Sequence, residues 1–246
     1  MDAIDRMRRH LARAWTRLAP SAEARVGDVS IRIDRRNMPT SLIRAIRRGD
    51  YELPERTAVL RILKAGDRVV EFGGGVGVVS MTAAKVTGPG TVHVFEPQPV
   101  ACSLIRENAK LNDLDITCTN AAVARESGTR TFWATSNIIS SNFFGGRRDG
   151  KGETSTFDVK AVAFSEIMAE HDPNVLIVDI EGAETEIFAD ADLSAVEVIV
   201  IELHPHVVGK DAIDALEAHF VAQGLTSVAS LASADTRAYT RGREPA

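Results

Sequence analysis

The sequence predicts an α/β fold: a doubly wound, mostly parallel, seven-stranded sheet with a terminal antiparallel hairpin, preceded by a helical N-terminal extension. Three observations predict it. Short apolar runs at 68–72, 91–95, 115–120, 175–179 and 196–203 recur with helical patterns after the first two. Their apolar character is continuous rather than alternating, which marks strands covered on both faces. Two further runs, 225–231 and 236–241, follow each other with only a Ser-Ala-Asp turn, so they close the sheet edge as a hairpin. With 246 residues, 44% hydrophobic and 26% charged, the chain can bury a sizeable core, which excludes a disordered chain, a collagen-like repeat and a disulfide-stapled miniprotein.

The elements follow in order. Ile4, Met7, Leu11, Trp15 and Leu18 recur at three- and four-residue steps, so residues 3–18 form an amphipathic helix with arginines on its other face. Val29–Asp34 alternates like a short strand. Pro54 opens a helix that runs to about Lys64, because a first-turn proline loses no helical hydrogen bond. Gly66-Asp67 turns the chain into the first core strand. Helices follow at 78–86 and from Pro99 to Leu111, and an amphipathic helix at 210–223 stops at Gly224. Between the third and fourth strands lies an insertion: strand-like 129–134 and 157–163 flank a polar, glycine-rich stretch, 136–155. A long loop of that kind acts as a lid or binding loop, or is simply solvated.

Charge divides the chain into an extension, 1–50, and a body, 51–246. Residues 1–50 hold twelve arginines, no lysine and six acids, a charge of +6; from the total of −5, the remaining 196 residues carry −11. The basic helix has three readings: packing on the body or on a second copy in a homo-oligomer, lying on an anionic membrane surface, or holding an anionic substrate. The acidic body speaks against a nucleic-acid partner. Cys102 and Cys118 are the only cysteines and lack metal-ligand spacing, which predicts a reduced, cytoplasmic protein. No apolar run reaches the length of a membrane span, and the first residues lack a signal-peptide core.

Chemistry concentrates at the strand ends. Val69-Val70-Glu71-Phe72-Gly73-Gly74-Gly75-Val76-Gly77 is a strand, a glycine loop and a helix start, built for close approach of a ligand to the backbone. Such loops serve dinucleotides and S-adenosyl-L-methionine equally well. Glu96 ends the second strand, where an acid accepts hydrogen bonds from both ribose hydroxyls. Glu71 discriminates: a pyrophosphate disfavours a carboxylate beside its loop, whereas a sulfonium and an ammonium favour one. The loop also lacks the lysine and hydroxyl residue of an ATP-binding loop.

These blocks together resemble the FkbM family of class I, Rossmann-like, S-adenosyl-L-methionine-dependent methyltransferases, over roughly residues 50–205. The resemblance rests on Tyr51-Glu52, on Gly66 to Gly73, on Phe95-Glu96-Pro97 and on Asn120-Ala121-Ala122-Val123. Most specific are Val178-Asp179-Ile180-Glu181-Gly182-Ala183-Glu184 and Ile201-Glu202-Leu203-His204-Pro205. The chain departs from the family in having Glu71 for the usual Asp and Gly74-Gly75 near the usual Ala-Asn. The resemblance implies that Glu71, Gly73 and Gly75 hold the methionine end of the donor, Glu96 and Pro97 the ribose, and Ala122 the adenine side, with Asp179 facing the methyl group. It implies methyl transfer to oxygen on a small molecule, natural product or sugar, as a hydroxyl or a carboxylate.

Removal of a hydroxyl proton needs a base. Asp179, Glu181, Glu202 and His204 all fall at the carboxyl ends of the fourth and fifth strands, where open parallel sheets bind ligands. His204 is the preferred base, because an imidazole titrates near neutrality; Asp179 either orients the acceptor or is itself the base. The plain structural alternatives are a helix-capping Glu181, a satisfied strand-end Glu202 and a loop-shaping His204. Asp179, Glu181 and His204 have ligand types that suit a divalent metal, but their spacing does not call for one, and the reading without a metal is preferred. Ser141, Asn142 and Arg147, in the glycine-rich loop, are expected with Glu202 to contact the acceptor. Two other classes compete: an NAD-type oxidoreductase, which leaves Glu71 and the Asp179–Glu181 block unexplained, and a non-catalytic module that keeps the fold only for binding.

Overall fold

The computed structural model describes residues 22–134, 141–142 and 155–246. The helix expected over 3–18, most of the 136–155 insertion and Arg147 lie outside the described residues. The described chain opens with a hairpin, β1 (Ala22–Val26) and β2 (Val29–Ile33), and a helix, α1 (Thr40–Arg48). Next come α2 (Leu53–Ile62), β3 (Val69–Phe72), α3 (Val78–Thr87), β4 (Val92–Phe95), α4 (Pro99–Leu111) and β5 (Ile116–Thr119). The insertion holds β6 (Ala122–Ala124), β7 (Gly128–Ala134), β8 (Ser141–Asn142) and β9 (Ser155–Ala163). Then follow α5 (Phe164–His171), β10 (Val175–Val178), α6 (Glu184–Phe188), β11 (Val198–Glu202), α7 (Pro205–Val208), α8 (Lys210–Ala222), β12 (Thr226–Ser227) and β13 (Thr236–Thr240).

The main sheet has seven strands in the order β12-β13-β11-β10-β3-β4-β5. The strands from β11 to β5 run parallel, and β13 pairs antiparallel with β11 and β12. This is the expected doubly wound sheet with its terminal hairpin. In the first arm of that hairpin only Thr226–Ser227 is strand, and Ala229–Leu231 form a short 3₁₀ turn instead of continuing the expected run. The chain moves outward from β3 to β5 and then returns to place β10 on the other side of β3. That reversal opens a crevice at the carboxyl ends of β3 and β10.

The strands are apolar throughout because both faces are packed. One face carries Phe72, Phe164, Phe188, Phe220 and Tyr239, and the other carries Val69, Val92, Ile177, Val198 and Val200. A chain of tilted and edge-to-face ring contacts runs from Phe72 through Phe164, Phe188 and Phe220 to Tyr239, with centroids 5.1–6.1 Å apart.

The segment read from charge as an extension shares a core with the body. Val26, Ile31, Ile33, Leu42 and Ile46 pack on Met81 of α3 and on Ala101 and Leu104 of α4. α1 was not expected, although Gly49 carries its stop signal: it takes a left-handed φ of 79° and donates to Ala45 and Ile46. Two buried or half-buried asparagines of α4 and its end stitch the hairpin down. Asn112 Oδ1 accepts from Ser30 N at 2.7 Å while its Nδ2 donates to Ser30 O at 2.7 Å. Asn108 Oδ1 accepts from Arg32 N at 2.9 Å, and its Nδ2 donates to Val76 O of the glycine loop at 2.9 Å.

The strand-like runs of the insertion pair into a second, four-stranded sheet in the order β6-β9-β7-β8. At the opposite, amino-terminal end of the main sheet, Asp67 accepts from Arg243 Nη1 at 2.6 Å and Nη2 at 3.0 Å, from Lys64 N at 2.8 Å and from Asn174 Nδ2 at 3.1 Å.

Candidate active site

The crevice at the carboxyl ends of β3 and β10 is a pocket of about 730 Å³, open to solvent. Gly73, Gly75, Glu96, Pro97, Ala122, Asp179 and Glu181, all expected at the site, line it. Glu71 does not; it is buried beneath the glycine loop, 2% exposed. Glu202 and His204 do not line it either, although both lie beside Asp179. Ser141 and Asn142 lie on β8, paired with Ala134 and Trp133 at the edge of the second sheet. Residues that the sequence reading did not place in a pocket also line it: Leu42 of α1, Phe132 of β7, Gln98, Val123 and Ile180. Tyr51 and Glu52, noted only as part of a motif, form another wall.

The loop after β3 is tight for a stated reason. Gly73 has φ +83°, and a Cβ there would lie 1.8 Å from the carbonyl oxygen of Asp179. Only glycine lets the ends of β3 and β10 approach so closely. Gly75, at φ +54°, turns its amide toward Glu96, donating to Oε2 at 3.0 Å. Gln98 N donates to Glu96 Oε1 at 2.8 Å, so each oxygen is oriented by a backbone amide. Asn120 holds the strand end by donating to the carbonyls of Glu96 and Pro97, each at 2.9 Å.

Among the described residues, acids line the pocket and no lysine or arginine does. Burial pushes Glu71 up to about 8 against a Ser80 hydroxyl, with Glu96 adding to the rise. Burial pushes Glu96 up to about 7, although the Gln98 and Gly75 amides pull the other way. Burial also holds Glu52 well above the usual carboxylate range despite its hydrogen bond from Tyr51. Asp179 is held well above its usual range by burial and then by Glu202, Glu181, Glu52 and Glu184. Two pocket acids have left-handed backbones, Glu52 at φ 49° and Glu181 at φ 56°, a costly conformation for such residues that clusters at functional sites.

His204 sits behind this wall. Its side chain is 3% exposed, and Nδ1 lies 2.8 Å from Oε1 of the fully buried Glu184. Burial lowers its pKa, but Glu184, Glu181 and Glu202 outweigh burial and the net shift is upward. Nε2 faces Asp179 Oδ1 and Glu181 Oε2, each at 3.6 Å. The preference for His204 as base meets two obstacles: it does not line the pocket, and its neighbours favour the protonated form, which cannot accept a proton.

The sheet order, the glycine loop and the acid-lined crevice define a class I methyltransferase fold. More closely, the model of the methyltransferase FkbM domain matches residues 70–224, well over half of the chain, and the protein belongs to that family. Ribosomal protein L11 methyltransferase of Bacillus velezensis is 40% identical over 60 residues, which are 24% of this chain and 19% of that protein. This chain thus spans about a fifth of the length of that relative. The Pyrococcus abyssi tRNA (uracil-54, C5)-methyltransferase, solved with S-adenosyl-L-homocysteine, superposes with a TM-score of 0.50 at 13% identity, covering 90% of this chain and 44% of that one. The precorrin-6y C5,15-methyltransferase of Geobacter metallireducens gives a TM-score of 0.45 at 16% identity, covering 78% and 76%. Among the described residues, no helix is long and apolar enough to cross a membrane.

The methyl donor of this class is S-adenosyl-L-methionine. The residues present fit it. Glu52 Oε2 and Asp179 Oδ1 are buried oxygens that accept no hydrogen bond from the described residues. The surplus of buried carboxylates matches a ligand carrying an ammonium and a sulfonium.

Proposed function

We propose that this chain transfers the methyl group of S-adenosyl-L-methionine to an oxygen, a hydroxyl or carboxylate, of a small molecule, natural product or sugar. Gly73, Gly75 and Glu52 would hold the methionine end, with Glu71 adding negative charge from beneath the loop, Glu96 the ribose hydroxyls, and Ala122 and Val123 the adenine side. When bound, the donor supplies an electrophilic methyl group on a positively charged sulfur. The remaining work falls to the chain: orienting an acceptor oxygen, excluding water and taking up a proton.

Asp179 carries the proposal. It lines the pocket at the carboxyl end of β10, and its raised pKa brings it toward the operating range of a general base. We therefore assign proton uptake to the Asp179 carboxylate and give His204 a positioning role. Its imidazole, fixed by Glu184, stands against the two acids. The apolar side chains of Leu42, Phe132 and Ile180 would exclude water from the acceptor and the methyl group. Glu202, and Ser141 and Asn142 on the β8 edge, would meet the acceptor.

The test is a screen with methyl-labelled S-adenosyl-L-methionine against sugars, aliphatic and phenolic alcohols, carboxylic acids, peptides and RNA. Label in a base-stable ether or a base-labile ester supports the assignment; label only in RNA, peptide or carbon positions overturns it. Stabilisation by S-adenosyl-L-homocysteine and not by NAD separates this reading from a dehydrogenase.

A further inference from the structure

Asp179, Glu181 and His204 converge from three directions, the end of β10, the left-handed residue after it and the segment after β11. One ligand atom from each lies within 4.8 Å of the others. The imidazole is prepared for more than packing. Glu184 is 0% exposed, and its Oε1 also accepts from Gly182 N at 3.1 Å, so it is fixed before it meets His204 Nδ1. A buried carboxylate on Nδ1 fixes the ring and aims Nε2, so that a cation replacing the Nε2 proton would meet an oriented ligand atom, the arrangement found behind metal-binding histidines. Nε2 then points at two carboxylate oxygens 3.6 Å away, beyond hydrogen-bond reach of either. Asp179 Oδ1, one of the two, is buried and accepts no hydrogen bond from the described residues. Ligands about 2.1 Å from a shared cation stand about 3.0–3.5 Å apart, close to the two 3.6 Å separations from Nε2.

We propose that Asp179, Glu181 and His204 bind one divalent cation at the edge of the donor pocket, with Glu184 orienting the imidazole. One nitrogen and two oxygens suit Mn²⁺, which takes imidazole more readily than Mg²⁺ does and carboxylate more readily than a thiophilic ion does. Glu202 Oε1, 3.9 Å from Nε2, adds negative charge beside the site. Three protein ligands leave coordination positions open for two neighbouring oxygens, as in a vicinal diol or a hydroxy acid. That last assignment rests on the methyl-transfer reading; binding of the ion does not.

The experiment titrates Mn²⁺ into the full chain after chelator treatment and dialysis, with neither donor nor acceptor present. Calorimetry counts bound ions, and the electron paramagnetic resonance signal follows free Mn²⁺. One ion per chain is expected. His204→Gln and Glu181→Gln each weaken binding at least tenfold, and Glu184→Gln weakens it by about ten- to a hundredfold. Near-ultraviolet circular dichroism and a cooperative thermal transition, retained in His204→Gln and Glu181→Gln, show that the variants are folded. Lack of stoichiometric Mn²⁺ binding by the wild type at millimolar concentration overturns the proposal, as does unchanged affinity in both His204→Gln and Glu181→Gln. Failure of the wild type to bind S-adenosyl-L-homocysteine strikes the functional reading alone.

Discussion

The two ends of the central sheet treat buried acids in opposite ways. At the amino-terminal end, Asp67 is fully buried yet meets Arg243 through two hydrogen bonds, with a backbone amide and Asn174 completing its partners. Burial tends to raise its pKa, but these donors more than offset that and hold it below the usual range. Glu197 also contacts the Arg243 guanidinium. At the carboxyl-terminal end, Glu52, Glu96 and Asp179 line one crevice and Glu71 lies buried beneath its glycine loop, and every one is held above the usual range. Structural acids bring their cation with them in the same chain. Acids that wait for a ligand leave the cation to be supplied.

That contrast is open to breaking. Arg243→Ala should cost about 3–5 kcal/mol in urea denaturation, since it strands a buried carboxylate, while leaving the affinity for S-adenosyl-L-homocysteine within twofold. A loss below about 1 kcal/mol would mean that the base pair is no more structural than a surface one. Asp179→Asn should do the reverse. With a responsive acceptor, kcat/KM falls at least about a hundredfold, as expected for loss of a general base, while the melting temperature holds or rises. A protein destabilised by this change would show that the top acids are structural too.

Acidity gives a finer reading. Glu96 has a folded pKa of about 7 against an unfolded value near 4.5, so its contribution to stability is fully present below about 4.5 and is lost as pH rises through about 7. Ligand affinity moves the other way, because ribose hydroxyls donate to the ionised carboxylate. Affinity for S-adenosyl-L-homocysteine should be about tenfold tighter at pH 8 than at pH 6, the ratio of ionised fractions for a pKa of 7. A flat profile by calorimetry would remove Glu96 from ribose binding. The smallest effect is expected at the rim: Glu202→Gln, with a side chain 35% exposed, should change that affinity by less than about threefold and act on acceptor KM instead.

The parts that could be read in the sequence share a physical cause. Runs such as Val175–Val178 and Val198–Glu202 are apolar at almost every position because helices cover both faces, and parallel strands of one register end together. Residues just past those ends, Gly73, Glu96, Asp179 and Glu181, therefore had to meet. What stayed hidden depended on contacts between distant segments. Leu42 reaches the pocket only because the hairpin packs on α3 and α4, and its charge-rich surroundings suggested an independent extension. Phe132 enters through a second sheet whose strands β7 and β9 pair across a long insertion. Propensity does not announce a left-handed Glu52 or Glu181. Nor does a histidine before a proline announce a 3% exposed imidazole fixed by Glu184.

A strand edge with free amides invites another chain to add on and extend the ladder without limit. In the β1–β2 hairpin, Val26 and Val29 pair across a two-residue turn, so Ser30 and Arg32 turn their backbone groups away from β1. Asn112 takes up both backbone groups of Ser30, and Asn108 the amide of Arg32. An alternating, half-apolar strand is thereby sealed by two side chains instead of a third strand, and the surface that would otherwise recruit copies of the protein is closed from within.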